Sequence, residues 1–143
     1  MKKNIVGAIG FLATLCITLP ASAANPSQVR QLLETGECSG CNLTQADLSG
    51  THLLGADLRN ANLEGANLTN ANLEGADLTG ANLRATNLTG AFMTNASLNL
   101  ADLSRANLSS VKMYNADTTG AVLTGINTQN AQVFGSGIDI GGD

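Results

Sequence analysis

The stretch ANLEGANLTNANLEGADLTGANL, residues 61–83, puts a leucine on every fifth residue and an alanine two before each leucine. A period of five fits neither ordinary element. An α-helix turns about 100° per residue, so a step of five rotates each leucine by roughly 140° from the last. No single buried stripe results. A flat strand alternates its faces residue by residue, so an odd period sends successive leucines to opposite sides. The leucines share one side only if the chain turns a corner every five residues. Four such units close a square coil, and coils stack at the strand spacing of about 4.8 Å. Each leucine then points inward, and so does the alanine two before it. A narrow interior has no room for a second large side chain beside each leucine.

The corners carry matching chemistry. The residue two after the central one is Gly at 50, 55, 65, 75, 80, 90, 120, 125 and 135, and Asn at 60, 70, 95, 115 and 130. Both residues tolerate the positive φ that a type II turn needs at its third position. Asn or Asp precedes most of the leucines, placed to bond nearby backbone or to form ladders with the coil above. The register runs without insertion from Cys41 to Ile140, with central positions at 43, 48, 53 and onward to 138, twenty in all and fourteen of them Leu. Twenty units predict about five coils, roughly 24 Å of solenoid at the strand spacing.

The motif A(D/N)LxG, as in Ala56-Asp57-Leu58, Ala66-Asn67-Leu68 and Ala76-Asp77-Leu78-Thr79-Gly80, resembles the signature of the pentapeptide-repeat family. The resemblance covers residues 41–140 and implies an all-β solenoid, a right-handed quadrilateral β-helix. Departures gather toward the C-terminus. Thr118 and Thr128 put hydroxyls at central sites, and Val111 and Ile126 replace the small alanine. The last coils are therefore expected to be less regular.

The first residues belong to a different kind of sequence. Lys2 and Lys3 precede the apolar run Ile5 to Leu19, followed by Pro20 and Ala21-Ser22-Ala23. This pattern reads as a signal peptide, residues 1–23, cleaved after Ala23. A membrane anchor is the alternative, but the apolar run is shorter than the roughly 20 residues a span requires. The exported chain would keep five basic residues, Arg30, Arg59, Arg84, Arg105 and Lys112, against eleven acidic ones, a net charge of −6. That balance argues against nucleic-acid binding, which wants a basic stripe. It also argues, more weakly, against anionic membranes, so no membrane association is expected once the leader is removed.

A solenoid must cover its ends, where apolar interior and unpaired strand edges would face water. Residues 24–37 predict a capping helix. Asn25 is the N-cap, Pro26 the first helical residue, Gln28 the residue completing a capping box, and Gly36 the stop. Val29, Leu32 and Leu33 share the face expected to lie over the first coil. The β-helix then runs over 38–140, with 141–143 as a tail that offers no cap of its own. An uncovered far end leaves a monomer or a weak dimer as the expected states.

Cys38-Ser39-Gly40-Cys41 is a C-x-x-C pair. Its place after a helix, with no βαβ context, argues against thioredoxin-like redox chemistry. Zinc would need two further ligands, and only His52 is near. In an oxidising compartment the favoured reading is a structural disulfide pinning helix to coil; a free pair, a redox pair and a metal pair are the alternatives.

Reading every fourth unit separates the faces. One carries Ser49, Thr69, Thr89 and Ser109, a hydroxyl ladder whose ordinary use is turn bonding and whose sharper use would be ordering water or ice. One stacks Asp57, Asp77 and Asp117, interrupted by Ser97. Either turn hydrogen bonds or a divalent cation would relieve their repulsion. On another, Glu64 is expected to stack under Arg84. The last carries His52, Leu54, Phe92, Lys112, Tyr114 and Phe134, including every aromatic residue after the leader. Clustered exposed aromatics mark an interface with another protein, unless they fold over the last coils as a partial cap.

No nucleophile–base set, convergent carboxylate pair or cofactor loop is present, and a leucine-filled coil has no substrate cavity, so no enzyme activity and no cofactor are expected. The leading expectation is an exported scaffold with a structural or protein-interaction role. It resembles the exported pentapeptide-repeat proteins of photosynthetic bacteria, which implies periplasm or thylakoid lumen. Another branch of that family imitates DNA and inhibits DNA gyrase. Export, mild charge and the lack of a C-terminal dimerising helix oppose that alternative. Cation or ice binding by the side-chain ladders is a third class.

Overall fold

A computed structural model describes residues 23–139; residues 1–22, nearly all of the expected signal peptide 1–23, and residues 140–143, with the expected tail 141–143, lie outside them. The chain forms a four-sided coil whose sides repeat every twenty residues. The residue before each central position makes a parallel bridge to its counterpart one coil on, as in Asn42↔Asn62, Asn62↔Asn82 and Asn82↔Asp102. With a corner every five residues, a side is too short for more than one bridging residue.

Three hydrogen bonds per unit knit coil to coil. Leu63 N–H donates to Asn82 O at 2.8 Å, Gly65 N–H to Arg84 O at 2.9 Å, and Asn82 N–H to Ala61 O at 2.9 Å. A fourth closes the corner, as where Ala66 N–H donates to Leu63 O at 2.9 Å. That bond plus a positive φ at the third residue is the arrangement of a type II turn. Positive φ holds at all the glycine and asparagine corners. It also holds at Gln45, Ala85, Leu100, Arg105 and Ser110, which have no intrinsic preference for it. There the coils on either side impose the turn.

The interior matches the period-five pattern. Central leucines from Leu43 to Leu108 are buried, and the alanines two before them are buried too. Thr86 takes an alanine site at full burial because its hydroxyl donates to Leu63 O at 2.8 Å. The C-terminal coil keeps the left-handed φ of its corners through Gly135, but its corner bonds are less regular, as expected: Ala121, Ala131 and Ser136 N–H close their corners, and Ala116 and Ile126 N–H do not. It also loses burial. Thr118 is half-buried under Ser136, and Ala121, Leu123, Ile126 and Thr128 are half-buried with no further coil above them among the described residues.

The N-terminal end is covered by α1 (Pro26–Thr35). Asn25 caps it by accepting from Ser27 N–H at 3.1 Å, and Gly36 ends it at φ 72 with its N–H on Leu32 O. Three expectations need correction here. Gln28 does not complete a capping box; its Oε1 accepts the Asn42 N–H at 2.8 Å, an edge group with no coil below it. Leu33 is 52% exposed, and the covering face is Leu32, with Val29 and Ala24 half-buried beside it. The coil begins one unit early: Glu37 bridges Asp57 and Cys38 fills a central site. The Cys38–Cys41 disulfide therefore lies wholly inside the first corner instead of joining helix to coil.

Candidate functional site

The side carrying the aromatic residues is built from two columns. His52, Asn72, Phe92, Lys112 and Gln132 form one unbroken ladder. Leu54, Glu74, Thr94, Tyr114 and Phe134 occupy the corner-starting positions beside it. Both positions point outward because the leucine between them points in. Phe92 is 41% exposed, Tyr114 38% and Phe134 81%. The Lys112 ammonium stands 4.8 Å from the centre of the Phe92 ring, a cation–π contact one coil apart. The Tyr114 hydroxyl donates to Gln132 Oε1. A groove runs beside Tyr114, Gln132, Phe134 and Ile138.

A partial cap would bury its rings, and Phe134 is not buried. Phe92, Lys112, Tyr114 and Phe134 come together on successive coils. His52 and Leu54 do not join them. Asn72 and Glu74 intervene, which sets Phe92 two ladder steps from His52, about 10 Å at the strand spacing. Two exposed apolar side chains went unflagged in the sequence. Leu100 is 70% exposed at a corner, its side chain lying over Gly120, and Val122 is 46% exposed. The available signal was leucine at a corner position that elsewhere takes Gly or Asn.

The acidic side is partly offset from within. Arg59 holds Asp57 through two bonds, Nε to Oδ1 at 2.8 Å and Nη2 to Oδ2 at 2.6 Å, and its Nε lies 3.8 Å from Asp77 Oδ2. The Arg59 hydrogen bonds, side-chain first and backbone second, hold the Asp57 carboxyl down at about 2 against an ordinary 3.8. Asp77 accepts from Thr79 N–H, and Asp117 from the N–H and hydroxyl of Thr119. The Thr119 hydroxyl is the main cause that lowers the Asp117 pKa. Each of the three carboxylates thus has a partner at its own turn, and the repulsion that motivated a cation is relieved by Arg59. Among the described residues no cluster of three or more His, Cys, Asp or Glu could hold a metal.

The other two sides follow the same local rule. Asn or Asp before the central residue accepts from the N–H two residues on, as Asn67 does from Thr69 at 3.2 Å. Spare amide hydrogens reach the neighbouring coil, as Asn82 Nδ2 does to Asn62 Oδ1 at 3.1 Å. The hydroxyls of Thr69 and Thr89 are spent on Asn67 and Asn87. Arg84 does not pair with Glu64; it reaches up to Asp102 Oδ2 at 3.1 Å.

A coil of twenty residues with leucine centres, alanine fillers and left-handed corners defines the class, and the comparisons agree. The family model for pentapeptide repeats, eight copies long, matches residues 37–75, 76–115, 93–125 and 101–132, and the chain belongs to that family. Pentapeptide repeat proteins are right-handed quadrilateral β-helices, the architecture these ladders build. Rfr23, a pentapeptide repeat protein from the cyanobacterium Cyanothece 51142, is 29% identical with a TM-score of 0.65, over 76% of this chain and 97% of that one. A pentapeptide repeat protein from the Arabidopsis thaliana thylakoid lumen is 36% identical with a TM-score of 0.49, over 64% of each chain. QnrB1, a plasmid-mediated fluoroquinolone resistance protein, is 14% identical with a TM-score of 0.36, over 72% of this chain and 69% of that one. No curated protein sequence matches the chain. Among the described residues no helix is long and apolar enough to cross a membrane.

Proposed function

We propose that this chain is a non-enzymatic, exported rod of about five coils that binds another protein through Phe92, Lys112, Tyr114 and Phe134. The observation that carries the reading is the exposure of all three aromatic rings on one side, 81% at Phe134, in a solenoid whose other apolar bulk is mostly inside. Aromatic anchors with a cation beside them supply large contact area at low entropic cost. The Lys112–Phe92 contact also holds both side chains in place before a partner arrives. Export to periplasm or thylakoid lumen is supported by the leader pattern of residues 1–23 and by the Cys38–Cys41 disulfide.

The test compares the protein with its Phe92→Ser/Tyr114→Ser variant as bait in an extract of the exported compartment. Both side chains point to solvent, so the variant keeps its fold, checked by circular dichroism. A partner held by the wild type and lost by the folded variant supports the reading. A partner held equally by both overturns the assignment of this face.

A further inference from the structure

The hydrogen bonds that tie α1 to the coil end on two residues, Glu37 and Asn42. Gln31 Nε2 donates to Glu37 O at 2.8 Å, Asn25 N–H to Asn42 O at 3.0 Å, and Asn42 N–H to Gln28 Oε1 at 2.8 Å. Between those anchors stands the corner Cys38-Ser39-Gly40-Cys41, closed by Cys41 N–H on Cys38 O at 3.2 Å and by the disulfide. This corner is built unlike the others. The next corners, through Leu108, have a buried leucine or methionine at the centre, with a buried alanine at the next unit in most of them. Here the centre is a cysteine, which fills less of the interior than leucine. The disulfide adds a covalent closure that the later described corners lack, so a reductant acts on this corner.

The protection runs both ways. Cys38 is 0% exposed and Cys41 4%, and the Cys38 sulfur lies 3.4 Å from the Gln28 carbonyl of α1. The sulfurs are shielded beneath α1, and the α1 hydrogen bonds land on the two residues that flank the corner. Any coupling between helix and corner is reciprocal.

We propose that the Cys38–Cys41 disulfide is a redox-operated latch on the N-terminal cap, opened by a dithiol reductant. One thiolate of the dithiol attacks a cysteine sulfur, breaking the Cys38–Cys41 bond and forming a mixed disulfide. The second thiol of the dithiol displaces that cysteine and closes the reductant's own disulfide. Two electrons and two protons pass to the protein, which gains two thiols. The loosened corner then releases α1, baring the Asn42 N–H, the Glu37 and Asn42 carbonyls and the interior around Leu43. An exposed edge of that kind accepts a further strand.

The test is site-resolved amide exchange on the full chain with and without dithiothreitol, thiol formation being confirmed by mass. The latch predicts that exchange at Gly36 and Asn42 rises at least ~10-fold on reduction, while Leu63 and Gly65 in the next coil stay protected. Unchanged exchange at Gly36 and Asn42 in the reduced protein overturns the proposal. So does loss of protection throughout, which would make the disulfide a general staple. The reciprocal arm uses Gln28→Ala/Gln31→Ala, which leaves the sulfurs untouched. Reduction of that variant should be several-fold faster than wild type, and an unchanged rate refutes the coupling. The Cys38→Ser/Cys41→Ser variant should show the reduced protein's exchange pattern without any reductant, and wild-type protection at Asn42 in that variant also refutes it.

Discussion

Ala85 offers a test in which the sign of the effect decides. It sits at a corner with φ 52, its side chain exposed, between Arg84 and the buried Thr86. Holding an L-residue in the left-handed region costs about 1–2 kcal/mol, and glycine escapes that cost. Against this, glycine's freer unfolded chain costs about 0.4–1 kcal/mol. The balance makes Ala85→Gly stabilising by roughly 0.5–1 kcal/mol. At an ordinary strand or helix position the same change destabilises by a similar amount. Gly55→Ala is the mirror experiment. A methyl there would meet nothing within 4 Å, so only the backbone cost remains and a loss of about 0.5–1 kcal/mol is expected. Urea titrations of both variants beside the wild type read the shifts as midpoints. A destabilised Ala85→Gly would mean that this corner is not strained, and the explanation of the turns would fail.

Gly90→Ala should cost more than Gly55→Ala, because the added methyl would clash with Asn70 Oδ1 and force that side chain to a new rotamer; the excess should vanish in an Asn70→Gly background. Leu73→Ala, at a fully buried central site, should lose about 2–5 kcal/mol, and Leu123→Ala, half-buried in the open coil, clearly less, both by urea titration. Acid should destabilise the coil through its aspartates. Asp57 is held at about 2 by Arg59, and Asp47, Asp102 and Asp117 are lowered chiefly by Ser49, Ser104 and Thr119. A depressed folded pKa gives stability that is present above the unfolded value, near 3.9, and is lost as pH falls toward the folded one. Thermal midpoints should be flat from about pH 7 to 5 and fall between about pH 4 and 2, modestly because the pairs are exposed. Asp57→Asn should shrink that fall; an unchanged slope would count against the Arg59 pairing.

The coil was legible in the sequence because one short rule repeats: leucine inward, alanine beside it, Gly or Asn at the corner. Where the rule is broken, the stack supplies what the residue does not. Leu100 and Arg105 adopt φ 58 and 61 because inter-coil bonds on both sides hold the corner against their own preference. Cys38 escaped notice as a central residue because its unit has neither leucine nor alanine. Long side chains were harder still. Gln28 finds an edge N–H, a partner set by tertiary geometry, and Arg59 adds the Asp77 carboxylate of the next coil to its local partner Asp57. The aromatic column itself was readable from the period, since residues twenty apart stack. Asn72 between His52 and Phe92 follows from the same step; the exposure of the individual rings does not, because it depends on what lies beside each one.

Photo-crosslinking in the living host tests the functional reading most directly. A photoreactive phenylalanine analogue would replace Phe134 on the aromatic side and, separately, Thr69 on the hydroxyl side. The account predicts a discrete crosslinked protein species from position 134 and none from position 69. Crosslinks of equal yield from both positions, or from Thr69 alone, would contradict it.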